Sequence, residues 1–251
     1  MLDVSVQTEI AVLRMRHGKV NALDIELCRH LIARLEELGT SGARAVILTG
    51  QRGVFSAGVD LLRALDAGDA YLRDFLPVLR KLFDVVFFYP KPIVAAINGH
   101  AIAGGCVLAC AADQRIMVRG AGRIGVTELL VGLPFPAIAL EIMRFTVVSA
   151  YLREVLFGGG RYPAEAAATR GLVDAVVEAD ALLGAALEAA QSLASLSTAA
   201  FSLTKSQVRQ PVLDAMHKYA GAFDAAVDEI WLAPQTASRV RDYVSKTFKK
   251  L

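Results

Sequence analysis

Cysteine is scarce in this chain: only Cys28, Cys106 and Cys110 occur. An odd count without a disulfide-type spacing excludes a stapled secreted scaffold. Cys106 and Cys110 lie four residues apart, but no His or acid completes a metal set around them. The four histidines, His17, His30, His100 and His217, are scattered, so no metal site is expected. Excess charge is lacking too: 27 basic against 25 acidic residues leave a net +2. No basic run is interleaved with aromatics, and "KTFKK" at the C-terminus is too short to serve as one. A nucleic-acid partner is therefore not expected. The chain also lacks a basic-then-apolar leader, so the expectation is a reduced, cytoplasmic protein.

What the chain has in quantity is apolar surface. Hydrophobic residues make up 55% of the 251, enough to build a large core. From Pro92 to Ala112 no residue is formally charged unless His100 is protonated. That length mimics a membrane span, which needs about 20 apolar residues in continuous helix. Here Pro92 opens the run, and Asn98-Gly99 and Gly104-Gly105 interrupt it. "PIVAAIN" reads as a buried strand and "GGCVLACAAD" as a short buried helix, so no membrane span is expected.

The remaining patterns alternate strand and helix. Val4, Val6 and Thr8, then Ile10, Val12 and Leu13, predict a hairpin or strand pair. Asp24 is placed to N-cap "IELCRHLIARLEELG", with Gly39 as its C′ residue. "ARAVILTG" predicts a buried strand. "VFSAGVDL" predicts a loop entering a helix near Leu61, and "YLRDFLPVLRKLFDVVFFYP" a long helix ended by Pro90. "QRIMVR" is a further strand, and helical segments resume at Ala137. "PAEAAATRGLVDAVVEAD" predicts a helix with Gly171 at C′, then a strand. From Ala181 the pattern is helical. The chain thus reads as α/β, with a core over 1–191 and a helical region over 192–251. No strong fixed-period repeat is visible.

Two motifs mislead. "GAGRIG", Gly120–Gly125, matches a dinucleotide fingerprint, with Glu141 near the ribose-acid spacing. Pro134 and Pro136 break any helix that should follow, so a Gly-rich turn is the better account. Ser56 lacks the glycine frame of a nucleophile elbow. More informative are "FSAG" and "AGG", each following a strand and preceding a helix. Backbone N–H groups at helix starts are unpaired donors, and small residues let a ligand approach them. Two such groups aimed at one point make an oxyanion hole.

Together these segments resemble the enoyl-CoA hydratase/isomerase (crotonase) superfamily. The resemblance runs through "VNALD" (Val20–Asp24), "VFSAGVDL" (Val54–Leu61), "KPIVAAINGHAIAGGCVLACAAD" (Lys91–Asp113), "ELLVGLPFP" (Glu128–Pro136) and "PAEAAATRGLVDAVV" (Pro163–Val177). It implies a crotonase-type ββα spiral core with a C-terminal α-helical region that trimerises, giving a homotrimer or a hexamer. It implies a coenzyme A thioester as substrate and no prosthetic group. The N–H groups of Ala57 and Gly104 would hold the thioester oxygen, with Glu128 as catalytic carboxylate. His17, Lys19, Val20, Leu23, Ala57, Val59, Asp60 and Leu61 would line the coenzyme A. Leu61–Leu82 would form the acyl wall, and a neighbouring subunit's C-terminal helices could close the pocket.

The departures narrow the expectation. Hydratases of the family carry a Glu three residues after the oxyanion glycine, where this chain has Val107. Water addition to C=C needs a base and an acid, commonly two carboxylates bracketing one water. The dienoyl-CoA isomerase branch has an Asp eight residues after the Glu, where this chain has Pro136. The tail "EIWLAPQTASRVRDYVSKTFKK" resembles monofunctional enoyl-CoA isomerases. A single base beside an oxyanion hole suits a Δ3-to-Δ2 double-bond shift. A one-Glu hydratase and a non-catalytic acyl-CoA binder remain the alternatives.

Overall fold

In a computed structural model of the protein, residues 1–248 are described; Lys249, Lys250 and Leu251 of the C-terminal tail lie outside them. The chain opens with the expected hairpin, β1 (Leu2–Gln7) antiparallel to β2 (Ile10–Met15). Thr8 and Glu9 both adopt positive φ in its turn. Helix α1 (Ile25–Thr40) follows, N-capped by Asp24, whose carboxylate accepts the Leu27 N–H at 2.8 Å. Gly39 is not the C′ residue. It lies inside the last turn, and Ser41 closes the helix by donating to Leu38 O through both N–H and Oγ.

Three ββα turns come next. They are β3 (Ala45–Thr49), β4 (Val54–Ser56) and α2 (Leu61–Phe87), then β5 (Ile93–Ile97), β6 (His100–Ile102) and α3 (Gly104–Cys110), then β7 (Gln114–Val118), β8 (Ile124–Gly125) and α4 (Glu128–Val131). In each turn the first strand joins a six-stranded sheet of order β1-β2-β3-β5-β7-β9, where β9 is Ala175–Val177. The second strand joins a three-stranded sheet β4-β6-β8. Except at β1–β2, the pairing is parallel. The repeat escapes the sequence reading because β4, β6 and β8 are only two or three residues long.

The six-stranded sheet is covered on both faces, as parallel sheets require. Every residue of "AVILT" (β3) and "IVAAI" (β5) is buried. Ile10, Ala45, Ile47, Val94 and Ala96 pack under α8 (Leu182–Ala194), through Leu182, Ala186 and Ala190. Leu13, Val46, Leu48, Ala95 and Ile97 face the main core with α1, α2 and α3. Each Val or Ile so buried contributes about 1.5–3 kcal/mol. The stretch that mimicked a span is therefore β5, β6 and α3. Among the described residues no helix is long and apolar enough to cross a membrane.

Beyond α4 come α5 (Ala137–Thr146), α6 (Leu152–Gly158) and α7 (Ala164–Thr169). Helix α7 closes with Gly171 at positive φ, as expected, in a Schellman pattern of Leu172 N–H to Ala167 O and Gly171 N–H to Ala168 O. Two helices, α9 (Thr198–Leu232) and α10 (Pro234–Phe248), complete the described chain. The division expected at 191/192 falls within α8. Helix α2 kinks at Gly68 (φ 72°, ψ −167°) and ends at Phe87, ahead of Pro90.

Candidate active site

Two segments meet above the short sheet: residues 20–24 and the loop 56–60. A parallel bridge pairs Leu23 with Val59. Its bonds are Ala57 N–H to Val20 O (3.0 Å), Leu23 N–H to Gly58 O (2.8 Å) and Asp60 N–H to Leu23 O (3.1 Å). Asn21 clamps the junction. Its Nδ2 donates to Val54 O and Phe55 O, and its Oδ1 accepts from His17 N–H. Ser56 Oγ donates to Asn21 O at 2.7 Å and accepts from Gly58 N–H at 3.2 Å. The hydroxyl holds the loop shape and attacks nothing. Sequence reasoning missed Asn21 and Ser56 as positioning residues. Their signal is a polar pair flanked by apolar residues on both loops.

This bonding corrects one expectation. The N–H of Ala57 is committed to Val20 O, so it is not available to a ligand. Successive N–H groups along extended backbone point to opposite sides. Asp60 N–H turns toward Leu23, so Val59 N–H turns away from it. Among the described residues Val59 N–H has no hydrogen-bond partner, and neither does Gly104 N–H at the start of α3. The two loops are in contact: a Cβ built on Gly58 would stand 3.1 Å from Gly104 N and 2.7 Å from Ile102 O. Gly58 also has φ +83°, so only glycine allows this approach.

These donors open into a cavity of about 350 Å³. Ala57, Val59, Asp60, Leu61 and Gly104 line it, with Glu128 and Val107. The two lining carboxylates differ. Asp60 N-caps α2 by accepting Arg63 N–H at 3.0 Å. Glu128, at the first position of α4, is half-buried, and its Oε2 is enclosed without any hydrogen-bond partner. Burial pushes its carboxyl up to about 7, against the partial offset of the Glu128 and Thr127 backbone N–H groups. Val107 is buried in the wall and offers no ionisable group.

The other expected residues divide. Val20 lines the cavity with an exposed side chain. Lys19 is exposed on the same loop. Leu23 is fully buried, so its side chain cannot line a ligand; its backbone holds Gly58 and Asp60 in place. His17 is turned onto the buried carboxylate of Asp24 (Nε2 to Oδ2, 2.5 Å), which Arg63 also contacts at 3.2 Å. His17 thereby ties the loop to α1 and α2. Of Leu61–Leu82, only Leu61, Leu62 and Leu79 reach the cavity; Leu72, Leu76 and Leu82 are core. The pocket is lined by Trp231 of α9 and Tyr243 of α10, so this chain's own C-terminal helices wall it.

A larger cleft of about 840 Å³ lies between α1, α2 and α9. Its buried Lys205 and Arg209 are paired with half-buried Asp113 at 2.7 and 2.8 Å, and among the described residues it holds no such pair of unpaired N–H groups. In the "GAGRIG" segment Gly120–Arg123 connect β7 to β8 and Ile124–Gly125 are β8, and Glu141 pairs with Arg144. The three thiols are buried and unlinked.

Residues 5–229 match the family model described as enoyl-CoA hydratase/isomerase. The chain is 37% identical over 187 residues to a probable enoyl-CoA hydratase of Mycobacterium avium, covering 73% of this chain and 72% of the relative. It is 30% identical over 221 residues to a mitochondrial enoyl-CoA delta isomerase of Rattus norvegicus, covering 87% of this chain and 76% of the relative. Among solved structures, human mitochondrial delta3-delta2-enoyl-CoA isomerase superposes with a TM-score of 0.94 at 26% identity, over 99% of this chain and 98% of that one. A probable enoyl-CoA hydratase of Mycobacterium tuberculosis gives 0.84 at 30% identity, over 91% and 96%.

Proposed function

We propose, for a chain that belongs to the enoyl-CoA hydratase/isomerase family, that it moves the double bond of a 3-enoyl-CoA thioester into conjugation, giving the trans-2-enoyl-CoA. The observation that carries this is the single poised carboxylate. Glu128 is the lining acid not engaged as a helix cap, and Val107 stands where a second acid or base would have to be.

The Glu128 carboxylate, which lines the largely apolar cavity, removes a proton from Cα. The electron pair moves into the thioester, and the enolate oxygen rests on the N–H groups of Val59 and Gly104. Each such donor lowers the barrier by about 3 kcal/mol. Glu128 then returns the proton at Cγ, and the double bond settles between Cα and Cβ. The carboxylate ends as it began, so no prosthetic group is consumed or required. With Val107 in the wall and Asp60 engaged as the cap of α2, no second free carboxylate stands beside Glu128 to bracket a water, which favours the shift over hydration. The closer superposition on the human isomerase supports the same choice.

A hydratase relying on Glu128 alone is the competing reading, favoured by the names of the mycobacterial relatives. One assay separates the two. Purified protein is given a short and a long trans-3-enoyl-CoA, and conjugated thioester is followed by absorbance, with Glu128→Gln alongside. The expected result is product from the natural protein and a loss of about 10²–10⁴-fold in the variant. Water addition to trans-2-enoyl-CoA without any double-bond shift would instead establish the hydratase.

A further inference from the structure

Trp231 stands between two cavities. One is the candidate active-site cavity. The other, of about 300 Å³, lies beneath the first segment of α2 and the junction of α9 with α10. Leu65, Leu72, Pro234 and Val240 line it, and its charged lining residues Asp69 and Arg241 are exposed. Among the described residues, Leu61, Leu133 and Trp231 alone line both cavities. These three side chains are therefore the wall between them, and the indole is the largest part of that wall.

A second observation marks Trp231 as the boundary of a ligand space rather than packed core. It is only 7% exposed, yet its Nε1–H has no hydrogen-bond partner. A buried indole N–H ordinarily finds one. Closed packing would satisfy the donor; a side chain standing between two hollow spaces has no protein acceptor in reach.

We propose that Trp231 determines acyl-chain length: its indole ends the active-site cavity, and the second cavity is the apolar space that a longer acyl tail would enter were the indole smaller. The proposal rests on the reading that the ligand is an acyl-CoA thioester. The natural protein then prefers acyl groups that stop at the indole. Trp231→Ala joins the cavities. Trp231→Phe keeps a flat ring and removes the N–H, so it leaves the length preference in place.

The test pairs binding with turnover. Saturated hexanoyl-, decanoyl- and hexadecanoyl-CoA are titrated calorimetrically into the natural protein, Trp231→Ala and Trp231→Phe. In parallel, kcat/KM is measured for the matching 3-enoyl thioesters. For the natural protein and Trp231→Phe, affinity should stop rising once the tail reaches the indole. For Trp231→Ala it should keep rising, roughly tenfold for every two methylenes that enter the second cavity. An unshifted length profile in a folded Trp231→Ala protein overturns the proposal. Trp231→Leu carries the same test if the alanine variant does not fold. A shifted binding profile with no turnover of any 3-enoyl thioester sustains the length assignment and defeats the isomerase reading. Absence of acyl-CoA binding defeats both. Trp231 is also the only tryptophan in the chain, so saturating acyl-CoA should change the intrinsic emission; an unchanged spectrum counts against the proposal.

Discussion

At the residue scale the chemistry turns on Glu128 and Val107. Glu128 is held near 7 by burial, and the proposed base works only when deprotonated. The kcat/KM profile should therefore fall as pH drops through about 7, one proton deep; a flat profile between pH 5 and 9 would exclude Glu128 as the base. Stability should move the other way. The folded-state pKa lies above the ordinary 4.5, so the folded protein holds this proton more tightly than the unfolded chain does. The contribution is complete below pH 4.5 and is lost as pH rises through about 7. Glu128→Gln should accordingly stabilise the protein at pH 8, on the order of 1–3 kcal/mol, read by chemical denaturation. Val107→Glu supplies the missing second carboxyl in the wall. It should give measurable hydration of trans-2-enoyl-CoA; no hydration from a folded variant would show that the pocket lacks more than one acid. The choice of Glu128 was legible from sequence because a family pattern marks the position. The oxyanion donor was not: Ala57 and Val59 are both small-to-medium apolar residues flanking Gly58, and only the hydrogen bonds distinguish the committed N–H from the unpaired one.

At the scale of elements, the site exists because short strands deliver loops to one place. The backbones of 56–60 and 103–105 come so close that Gly58 and Gly105 have no room for a Cβ. A Cβ on Gly105 would lie 2.3 Å from Ser56 O and 2.8 Å from Ser56 Cβ. Gly105→Ala must therefore push α3 away from the 56–60 loop. The expected cost is about 1–3 kcal/mol of stability. Activity should fall further than stability does, since the two oxyanion donors separate; full turnover in this variant would show that their spacing is not critical. The long elements were readable in advance from apolar periodicity and capping, as Asp24 and Gly171 illustrate. The strands β4, β6 and β8 were not, because two or three residues carry no alternation, and their pairing is settled by the turns around them.

At the scale of the whole molecule, the described surface carries large apolar side chains in the open. Phe157 is 68% exposed, Leu203 62% and Phe223 59%. Exposed apolar patches commonly mark association surfaces. We propose, from the family resemblance, that the chain assembles as a trimer or a dimer of trimers, with these side chains as candidates for the covered surface. Light scattering on the eluted protein should give three or six times the 26.8 kDa chain mass, and a monomer at micromolar concentration would refute the assembly. Trp231 and Tyr243 of the chain itself wall the candidate active-site cavity. Composition and strand-helix alternation were enough, from sequence alone, to assign an α/β fold, and the family resemblance of the Gly-containing motifs was enough to single out Glu128 as the candidate carboxylate. These are local properties, carried by residue type and by neighbours a few positions away. Which N–H is unpaired, that Leu23 is sealed in the core, that His17 serves Asp24, and that Trp231 and Leu61 line the same cavities were decided by the tertiary structure. Each depends on contacts between residues far apart in the chain, for which no periodicity or spacing carries a signal.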